Sequence, residues 1–317
     1  MTGEAFPEPV LILAFNRPDR VAALIDRLRE VRPAHVYLSV DGPRAHVATD
    51  ADRVRQTQAL AQAIDWPCTV HTHLADAKLG CGLAVSGGID WFFEHVERGI
   101  ILEDDVLPSV PFFRFCADLL EQYADDPRVY AISGCNFAPP EAITHPGSYR
   151  FSALTHVWGW ATWRRAWADY RFDMADWRTR LPLGRRWRAM GSDLPGFVYW
   201  STVFDWMRFG SLDTWDYQWS LAQMAAGGLT ATSNVNLVEN VGFDSDATHT
   251  VHAPGFIRPV ETIAFPLRPT PVERDLRADR WVRKQVLQAS TQGVWRMVKG
   301  NLLQRLARGS KALRGAS

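Results

Sequence analysis

The stretch GIILEDDVLPS, residues 99–109, joins a short apolar run to three consecutive carboxylates. The apolar residues 100–102 suit a strand that is buried on both faces of a parallel sheet. Glu103, Asp104 and Asp105 follow at once, although neighbouring like charges raise one another's pKa and resist burial. The stretch therefore predicts a core strand that delivers an acidic cluster to the edge of a sheet.

Strand and helix patterns alternate through the first 135 residues. The predicted strands cover 9–15, 34–42, 67–74, 99–105 and 128–134, and the predicted helices start near Pro18, cover about 50–64 and 82–96, and start after Ser109. Asn16 is expected to cap the first of these helices. The alternation predicts an α/β fold with a mostly parallel central sheet flanked by helices.

Composition narrows the class of protein. The chain has 317 residues and 14 tryptophans, and its Lys+Arg and Asp+Glu counts balance at 35 each, which does not indicate a nucleic-acid partner. The four cysteines form no CxxC pair, which is typical of reduced thiols in a cytoplasmic protein without a zinc site. We expect a cytoplasmic protein, because the N-terminus lacks a signal pattern and no apolar run is long enough to span a bilayer.

The two usual phosphate-binding loops are missing. A dinucleotide-binding fold needs GxGxxG directly after the first strand, and that place holds NRPDRV, residues 16–21. GCGLAV, residues 80–85, lacks the third glycine, and the chain contains no Walker A sequence. Any bound phosphate must therefore be held in another way.

A divalent cation is the natural counter-ion of the acidic cluster. Ligands of open α/β sheets bind at the carboxyl ends of the strands, where residues 103–105 are expected to lie. Mg²⁺ and Mn²⁺ prefer oxygen ligands and share their coordination shell with substrate phosphates. The alternative is a strand-end turn with solvated acidic side chains.

Five segments, in order, resemble a known family. They are VLILAFNRPDRV, YLSVDGPR, ILEDDVLPSVPFFRF, VWGWATWRRAW and NVGFDSDATHT, which together span about residues 9–250. The sequence resembles the GT-A-fold, nucleotide-sugar-dependent glycosyltransferases, in particular a bacterial group related to the N-acetylglucosaminyltransferases of the N-glycan pathway. The resemblance implies a Rossmann-like sheet and a nucleotide-sugar donor, with a UDP-sugar favoured.

The resemblance also implies roles for individual residues. Asp105 would bind Mn²⁺ or Mg²⁺ through the donor diphosphate, with Glu103 and Asp104 in support, one of them meeting the ribose. Asp41 would read the edge of the base, although an ordinary Asp-Gly turn explains it equally well. The nucleotide cleft would further be lined by Ala14, Phe15, Asn16 and Arg17. Lys78-Leu79 departs from the pattern, since many relatives carry Asn just before the glycine.

A catalytic base is needed if transfer inverts the anomeric centre. In the resembled families it is an Asp or Glu at the start of a helix, and SLDTWDYQW, residues 211–219, predicts a helix beginning near Thr214. Asp216 is the first candidate and Asp213 the second. Helix capping and dipole complementarity account for both residues equally well.

The acceptor and a closing loop are assigned to two further segments. Trp158, Gly159 and Trp160 are expected to shape the acceptor pocket, because sugar C–H faces pack on indole rings; the alternative is that the tryptophans are core anchors. The segment 239–250 could close over the diphosphate, with His249 contributing to the phosphate or metal, although a lone histidine is more often structural.

The predicted organisation has two parts. Residues 1–250 form the catalytic domain, with a nucleotide-binding half over about 1–135 and an acceptor-binding half over 136–250. Residues 251–317 form a proline-rich connection and a basic helical tail. The tail either lies peripherally on the inner face of the membrane or docks on the catalytic domain.

We expect a metal-dependent glycosyltransferase that uses a glycan or lipid-linked acceptor and inverts the anomeric centre. Two other hypotheses stay open: a sugar-nucleotidyltransferase, and a catalytically silent carbohydrate-binding protein. A sugar-nucleotidyltransferase usually has a glycine-rich loop after the first strand, and NRPDR has no glycine. A silent carbohydrate-binding protein would not explain the acidic cluster. A glycoside hydrolase is less favoured because no pair of acids stands out.

Overall fold

The apolar stretch of residues 100–102 lies near the middle of an eight-stranded sheet with the order β3-β2-β1-β4-β8-β6-β9-β7. The computed structural model describes residues 5–210, 212–242 and 255–297. Its strands are β1 (Val10–Ala14), β2 (His35–Val40), β3 (Thr69–Leu74), β4 (Arg98–Glu103), β5 (Val106–Pro108), β6 (Val129–Ser133), β7 (Tyr149–Ser152), β8 (Trp160–Trp163), β9 (Leu229–Ser233) and β10 (Val238–Asn240).

Helices flank this sheet. In the described ranges they are α1 (Pro18–Val31), α2 (Asp50–Ala59), α3 (Cys81–His95), α4 (Val110–Gln122), α5 (Arg164–Trp167), α6 (Trp177–Arg180), α7 (Leu183–Ala189), α8 (Leu194–Arg208), α9 (Asp216–Ala226) and α10 (Leu276–Gln285), with short 3-10 turns at Leu60–Ala63 and Pro140–Ala142. Pairing is parallel for β1-β2, β2-β3, β1-β4 and β6-β9 and antiparallel for the other three pairs of the sheet. The predicted fold class, a mostly parallel α/β sheet between helices, is confirmed.

The core lies on both faces of the sheet. Along β1, Val10 and Ile12 face one apolar cluster, and Leu11 and Leu13 face the other. Helices α1 and α4 contribute to the first cluster and α3 to the second. This double burial explains why the strand sequences are continuous apolar runs rather than alternating ones.

The parallel pairing brings the ends of three strands to one edge. The Asp41 amide, just after β2, donates to the Ala14 carbonyl, and the Asp104 amide, just after β4, donates to the Leu13 carbonyl, both at 3.0 Å. The residues that follow β1, β2 and β4 therefore meet at the carboxyl edge of the sheet.

The two predicted halves share one sheet. Strand β8, from the predicted acceptor half, lies between β4 and β6 of the predicted nucleotide half. Strand β10 pairs with β5 directly after the acidic cluster, and the Val241 amide donates to the Asp105 carbonyl at 2.8 Å. Chain from beyond residue 200 is thereby placed against the acidic cluster.

The described part of the C-terminal segment packs on the edge of the sheet. The Asp275 amide donates to the Phe151 carbonyl at 2.8 Å, and Ser152 donates to Asp279 of α10 at 2.5 Å. This part of the segment thus packs on the central sheet, while residues 298–317 lie outside the described residues. No helix in the described ranges is both long and apolar enough to cross a membrane.

One capping prediction is wrong. Arg17, not Asn16, occupies the position before α1, and its side chain makes no capping hydrogen bond. Asn16 instead donates to Oδ1 of Asp50 at 2.9 Å, while Pro18 begins α1 as predicted. The asparagine is used to hold α2 against the loop after β1.

Candidate active site

A cleft of about 740 Å³ opens at the carboxyl edge of β1, β2 and β4. Most of the predicted site residues line it, namely Ala14, Phe15, Asn16, Arg17, Asp41, Glu103, Asp104, Asp105, Trp158, Asp213 and Asp216. The topology therefore brings together residues that are up to 200 positions apart in the sequence. The cleft is the candidate active site.

The acidic cluster is partly neutralised by Arg17, which follows β1. Its guanidinium Nη1 lies 3.1 Å from Oδ1 of Asp104 and 3.6 Å from Oδ2 of Asp105. Burial raises the pKa of Asp104 to about 6, although the charge of Arg17 opposes that rise. The cluster is thus held against its own repulsion by a cation from the neighbouring strand end.

Glu103, the last residue of β4, has the more strongly perturbed carboxyl. Burial raises its pKa well above the usual range, and the charges of Asp105, Asp104 and Asp216 raise it further. Asp216, the first residue of α9, lines the same cleft, and its charge is one of those that raise the pKa of Glu103. The cleft therefore carries carboxylates from the end of β4 and from the start of α9.

Asp105 fits a hard divalent cation that shares its shell with a phosphate. No three His, Cys, Asp or Glu side chains of the described residues converge as a ready-made metal site. Mg²⁺ is usually held by one or two carboxylates together with substrate phosphates and water, so a full set of protein ligands is not required. The half-buried Asp105 carboxylate, beside the open cleft, is a suitable donor.

Lys78 joins two of the predicted nucleotide-binding residues. Its Nζ lies 2.7 Å from Oδ2 of Asp41 and 3.4 Å from the centre of the Phe15 ring. The amides of Gly42 and Leu79 both donate to Oδ1 of Asp41 at 2.8 Å, which fixes that carboxylate. Asp41 and Lys78 thus present an acceptor and a donor side by side in the cleft.

Sequence reasoning assigned no role to a second ion pair in the cleft. Arg44 donates through Nε and Nη2 to the buried Asp50 at 2.5 and 2.9 Å, and this contact holds the pKa of Asp50 well below its usual range. Arg53 donates to the Asn16 carbonyl at 2.7 Å. The sequence places the arginine of this ion pair in DGPR, directly after the second strand. It does not show that this arginine pairs with an aspartate of α2.

Asp213 and Asp216 have different environments. The Asp213 carboxylate accepts from the amides of Cys81 and Gly82 at 3.0 and 2.8 Å, so it caps the N-terminus of α3. Asp216 accepts from Thr214 Oγ1 at 2.5 Å and lines the same cleft as the acidic cluster. The capping alternative thus describes Asp213, although the capped helix is α3 rather than the one predicted near Thr214.

The two tryptophans that were predicted to contact the acceptor also have different environments. Trp158 is half-buried, lines the cleft and meets Phe137 edge-to-face at 5.2 Å between ring centres. Trp160 is only 1% exposed and packs against Trp215 and Trp219 at 5.5 and 5.6 Å. The expectation of acceptor contact is therefore wrong for Trp160, which is a core residue.

Gly159 is likewise structural. Its φ of +66° is left-handed, and a Cβ there would lie 2.6 Å from Val238 Cγ1 on β10. The glycine allows β10 to pass close to the loop before β8, and it does not line the cleft. Gly159 therefore serves the packing of β10 rather than the acceptor pocket to which the sequence assigned it.

Two cleft residues come from the end of β10. Asn240 and Gly242 line the cleft, and a Cβ at Gly242 would lie 2.6 Å from Oδ2 of Asp105. This close approach explains why glycine occupies position 242. His249, predicted to contribute to a phosphate or metal, lies outside the described residues.

Comparison with known proteins gives a match to solved structures only. No protein-family model matches the chain, and no curated protein matches it. HddC from Yersinia pseudotuberculosis is 13% identical over 51% of this chain and 80% of its own, with a TM-score of 0.33. A structure described as mannose-1-phosphate geranyltransferase from Thermus thermophilus is 12% identical over 74% of this chain and 76% of its own, with a TM-score of 0.37.

A third match is described as a putative glucose-1-phosphate thymidylyltransferase from Bacillus anthracis. It is 10% identical over 51% of this chain and 73% of its own, with a TM-score of 0.30. Likeness at this level does not identify an activity.

Proposed function

We propose that the protein is a metal-dependent glycosyltransferase that takes a sugar from a nucleoside-diphosphate donor. The observation that carries the proposal is that Asp216 lines the same cleft as Glu103, Asp104 and Asp105. In this proposal the acidic cluster supplies the metal ligand Asp105, and Asp216 supplies the base. Nucleotide base, diphosphate and acceptor would occupy successive parts of the same cleft.

Each group of cleft residues has a defined task in this proposal. Asp41 and Lys78 bind the base, Arg17 orients Asp104 and Asp105, and Trp158 offers an indole surface to the acceptor sugar. A divalent cation bound at Asp105 would neutralise the charge of the departing diphosphate. Residues 103–105 thus serve the donor, and residues from the second half of the chain serve the acceptor.

In the proposed transfer step, Asp216 accepts the proton of the acceptor hydroxyl. Its carboxylate takes the proton of the acceptor hydroxyl as that oxygen bonds to the anomeric carbon, and the bond to the diphosphate oxygen breaks. Thr214, which donates to Asp216 at 2.5 Å, orients the carboxylate. Attack from the face opposite the leaving group inverts the anomeric centre.

A sugar-nucleotidyltransferase is the second candidate, because an acidic cluster at this edge of the sheet could equally hold the metal of a nucleoside triphosphate. Its nucleophile would be a sugar phosphate, which is already an anion and needs no base. The position of Asp216 at the cleft therefore favours glycosyl transfer. The loop after β1 also lacks the glycine-rich sequence usual for nucleotidyl transfer.

Two product assays distinguish the candidates. A glycosyltransferase incubated with Mn²⁺ and a panel of UDP-, GDP- and dTDP-sugars should release a nucleoside diphosphate as the sugar is transferred to an added glycan acceptor or, more slowly, to water. A nucleotidyltransferase should release pyrophosphate from a nucleoside triphosphate and a sugar 1-phosphate. If neither product forms and the protein binds glycans without a nucleotide, a catalytically silent carbohydrate-binding protein is the remaining hypothesis.

A further inference from the structure

A surface away from the cleft combines exposed apolar and basic side chains. Leu183 and Trp187, one helical turn apart on α7, are 66% and 48% exposed, and Leu194 at the start of α8 is 65% exposed. The ring centre of Phe197 on α8 lies 6.3 Å from that of Trp187, and Leu194 precedes Phe197 by about one turn of the same helix, which places α7 and the start of α8 side by side. Large exposed aliphatic and aromatic side chains in one patch indicate a binding surface rather than ordinary surface composition.

Helix α10 adds cations beside this patch. Its exposed side chains include Arg277, Arg280 and Lys284, whose spacing of three and four residues puts them on one helical face. Its only carboxylate, Asp279, is buried against Ser152 and Arg274. The exposed charges of α10 are therefore all positive.

Two contacts hold the apolar and basic elements together. Arg283 of α10 donates through Nη1 and Nη2 to Asp193 at 2.6 and 2.7 Å, and Asp193 caps α8 immediately before Leu194. Arg274, just before α10, donates to the carbonyl of Arg188 on α7 at 2.9 Å. The exposed Arg188 therefore lies next to both the α7 patch and the start of α10.

We propose that this surface, the basic apolar face, binds an anionic lipid bilayer. It consists of Leu183, Trp187, Arg188, Leu194, Arg280 and Lys284. Anionic headgroups attract clustered Lys and Arg, while leucine and tryptophan enter the boundary between headgroups and acyl chains. Leucines that are two-thirds exposed gain little from a phosphate backbone, so a bilayer is favoured over a nucleic acid.

The face is compatible with an open cleft and does not depend on the proposed activity. Arg185 of α7 donates to the carbonyl of Ala225 at the C-terminal end of α9, at 2.6 Å. Asp216 begins α9 at its other end, about 15 Å away at 1.5 Å per residue, and lines the cleft. Helix α7, which carries part of the basic apolar face, therefore contacts the end of α9 that is remote from Asp216.

Vesicle co-sedimentation of the full-length chain tests the proposal. The wild type should bind mixed phosphatidylglycerol–phosphatidylcholine vesicles, bind pure phosphatidylcholine vesicles weakly, and dissociate as salt is raised. Arg280→Gln with Lys284→Gln should weaken binding about fivefold for each charge removed. Leu183→Ser with Leu194→Ser should weaken it about tenfold through lost apolar burial.

Matched controls are available elsewhere on the surface. Leu74→Ser, at an exposed leucine of β3, and Arg55→Gln, at an exposed arginine of α2, should bind as the wild type does. All four proteins should melt as the wild type does, because every substituted side chain is exposed. The basic tail beyond residue 297 is unchanged in each of them, so differences report on the face.

Three results would overturn the proposal. The first is equal binding to anionic and neutral vesicles, or to neither. The second is full binding by both face variants, which would move the contact to another part of the chain. The third is tighter binding to a single-stranded oligonucleotide that depends on the two cations but not on the two leucines.

Discussion

The ammonium of Lys78 lies 2.7 Å from Oδ2 of Asp41 and caps the ring of Phe15 at 3.4 Å. Oδ1 of Asp41 accepts two backbone amides and Oδ2 pairs with Lys78, so in the proposed function a base would have to meet Oδ2 beside the ammonium. An acceptor next to a donor complements a ring N–H beside a carbonyl, as in uracil, thymine and guanine. Cytosine and adenine present a ring acceptor beside an amino group and, held in the same orientation, would oppose both partners.

We therefore expect UDP to bind at least about tenfold more tightly than CDP, and Lys78→Met to narrow this ratio. Hydrogen bonds to charged groups are worth about 1.5–3 kcal/mol, which corresponds to a factor of roughly 10–100. Isothermal titration calorimetry in the presence of Mn²⁺ measures both affinities. Tighter binding of CDP, or an unchanged ratio in Lys78→Met, would show that this pair does not read the base.

Asp216 and Asp213 should respond differently to the same substitution. Asp216→Asn should lower kcat by about a hundredfold or more because it removes the base, with nucleotide affinity unchanged. Asp213→Asn should instead weaken the cap of α3, because the amide has one acceptor oxygen for two backbone N–H groups, and lower stability by about 1 kcal/mol. Turnover, nucleotide titration and thermal melting of both variants make the comparison. A slow Asp213→Asn enzyme beside an active Asp216→Asn enzyme would reverse the assignment.

Substitution of the two neighbouring tryptophans should also have different effects on stability and on acceptor binding. Trp160→Ala removes a fully buried indole and should destabilise the fold by about 3–5 kcal/mol. Trp158→Ala should leave most of the stability and raise the acceptor KM about five- to tenfold through lost ring contact. Urea denaturation and acceptor kinetics check the pair. Equal destabilisation by both substitutions would mean that Trp158 is a core residue as well.

His156 should make the fold acid-sensitive. Burial, together with the charge of Arg150, lowers the pKa of His156 to about 3, and no partner in the described part of the chain reaches its Nε2. The unfolded chain takes up a proton near pH 6.5 that the folded chain refuses, so stability present at pH 7 is lost as pH falls. Between pH 7 and pH 5 this contribution of His156 lowers the free energy of unfolding by about 2 kcal/mol.

His156→Phe should reduce this loss, since phenylalanine takes up no proton and can keep the edge-to-face contact with Phe137. Urea denaturation at pH 7 and pH 5 measures the difference, and His156→Gln serves as a second neutral variant. His46→Gln, at an exposed histidine, is the matched control. Equal pH dependence in the wild type and in both His156 variants would contradict the assignment.

The sequence was sufficient for the parallel sheet and for its acidic edge. Continuous apolar runs such as residues 10–14 and 100–102 mark strands that are buried on both faces, and parallel strands must end at one edge. Asp41 and residues 103–105 could therefore be placed together before any coordinates were known.

Long-range contacts explain what the sequence did not show. Asp213 caps a helix that begins 132 residues earlier, and nothing around Asp213 reveals that partner. Trp160 follows Trp158 by two residues in a segment of weak periodicity, so their opposite environments depend on where β8 enters the sheet. Lys78 meets Asp41 because β2 and β3 end side by side.

Metal-dependent nucleotide binding through Asp105 is the most direct test of the central claim. Calorimetric titration of UDP, with and without Mn²⁺, should be made on the wild type, on Asp105→Asn and on Asp118→Asn, a surface carboxylate of α4 that serves as control. We expect tight binding only with Mn²⁺, its loss in Asp105→Asn and its retention in Asp118→Asn. UDP binding that is indifferent to both Mn²⁺ and Asp105, or absent from the folded wild type, would contradict the account.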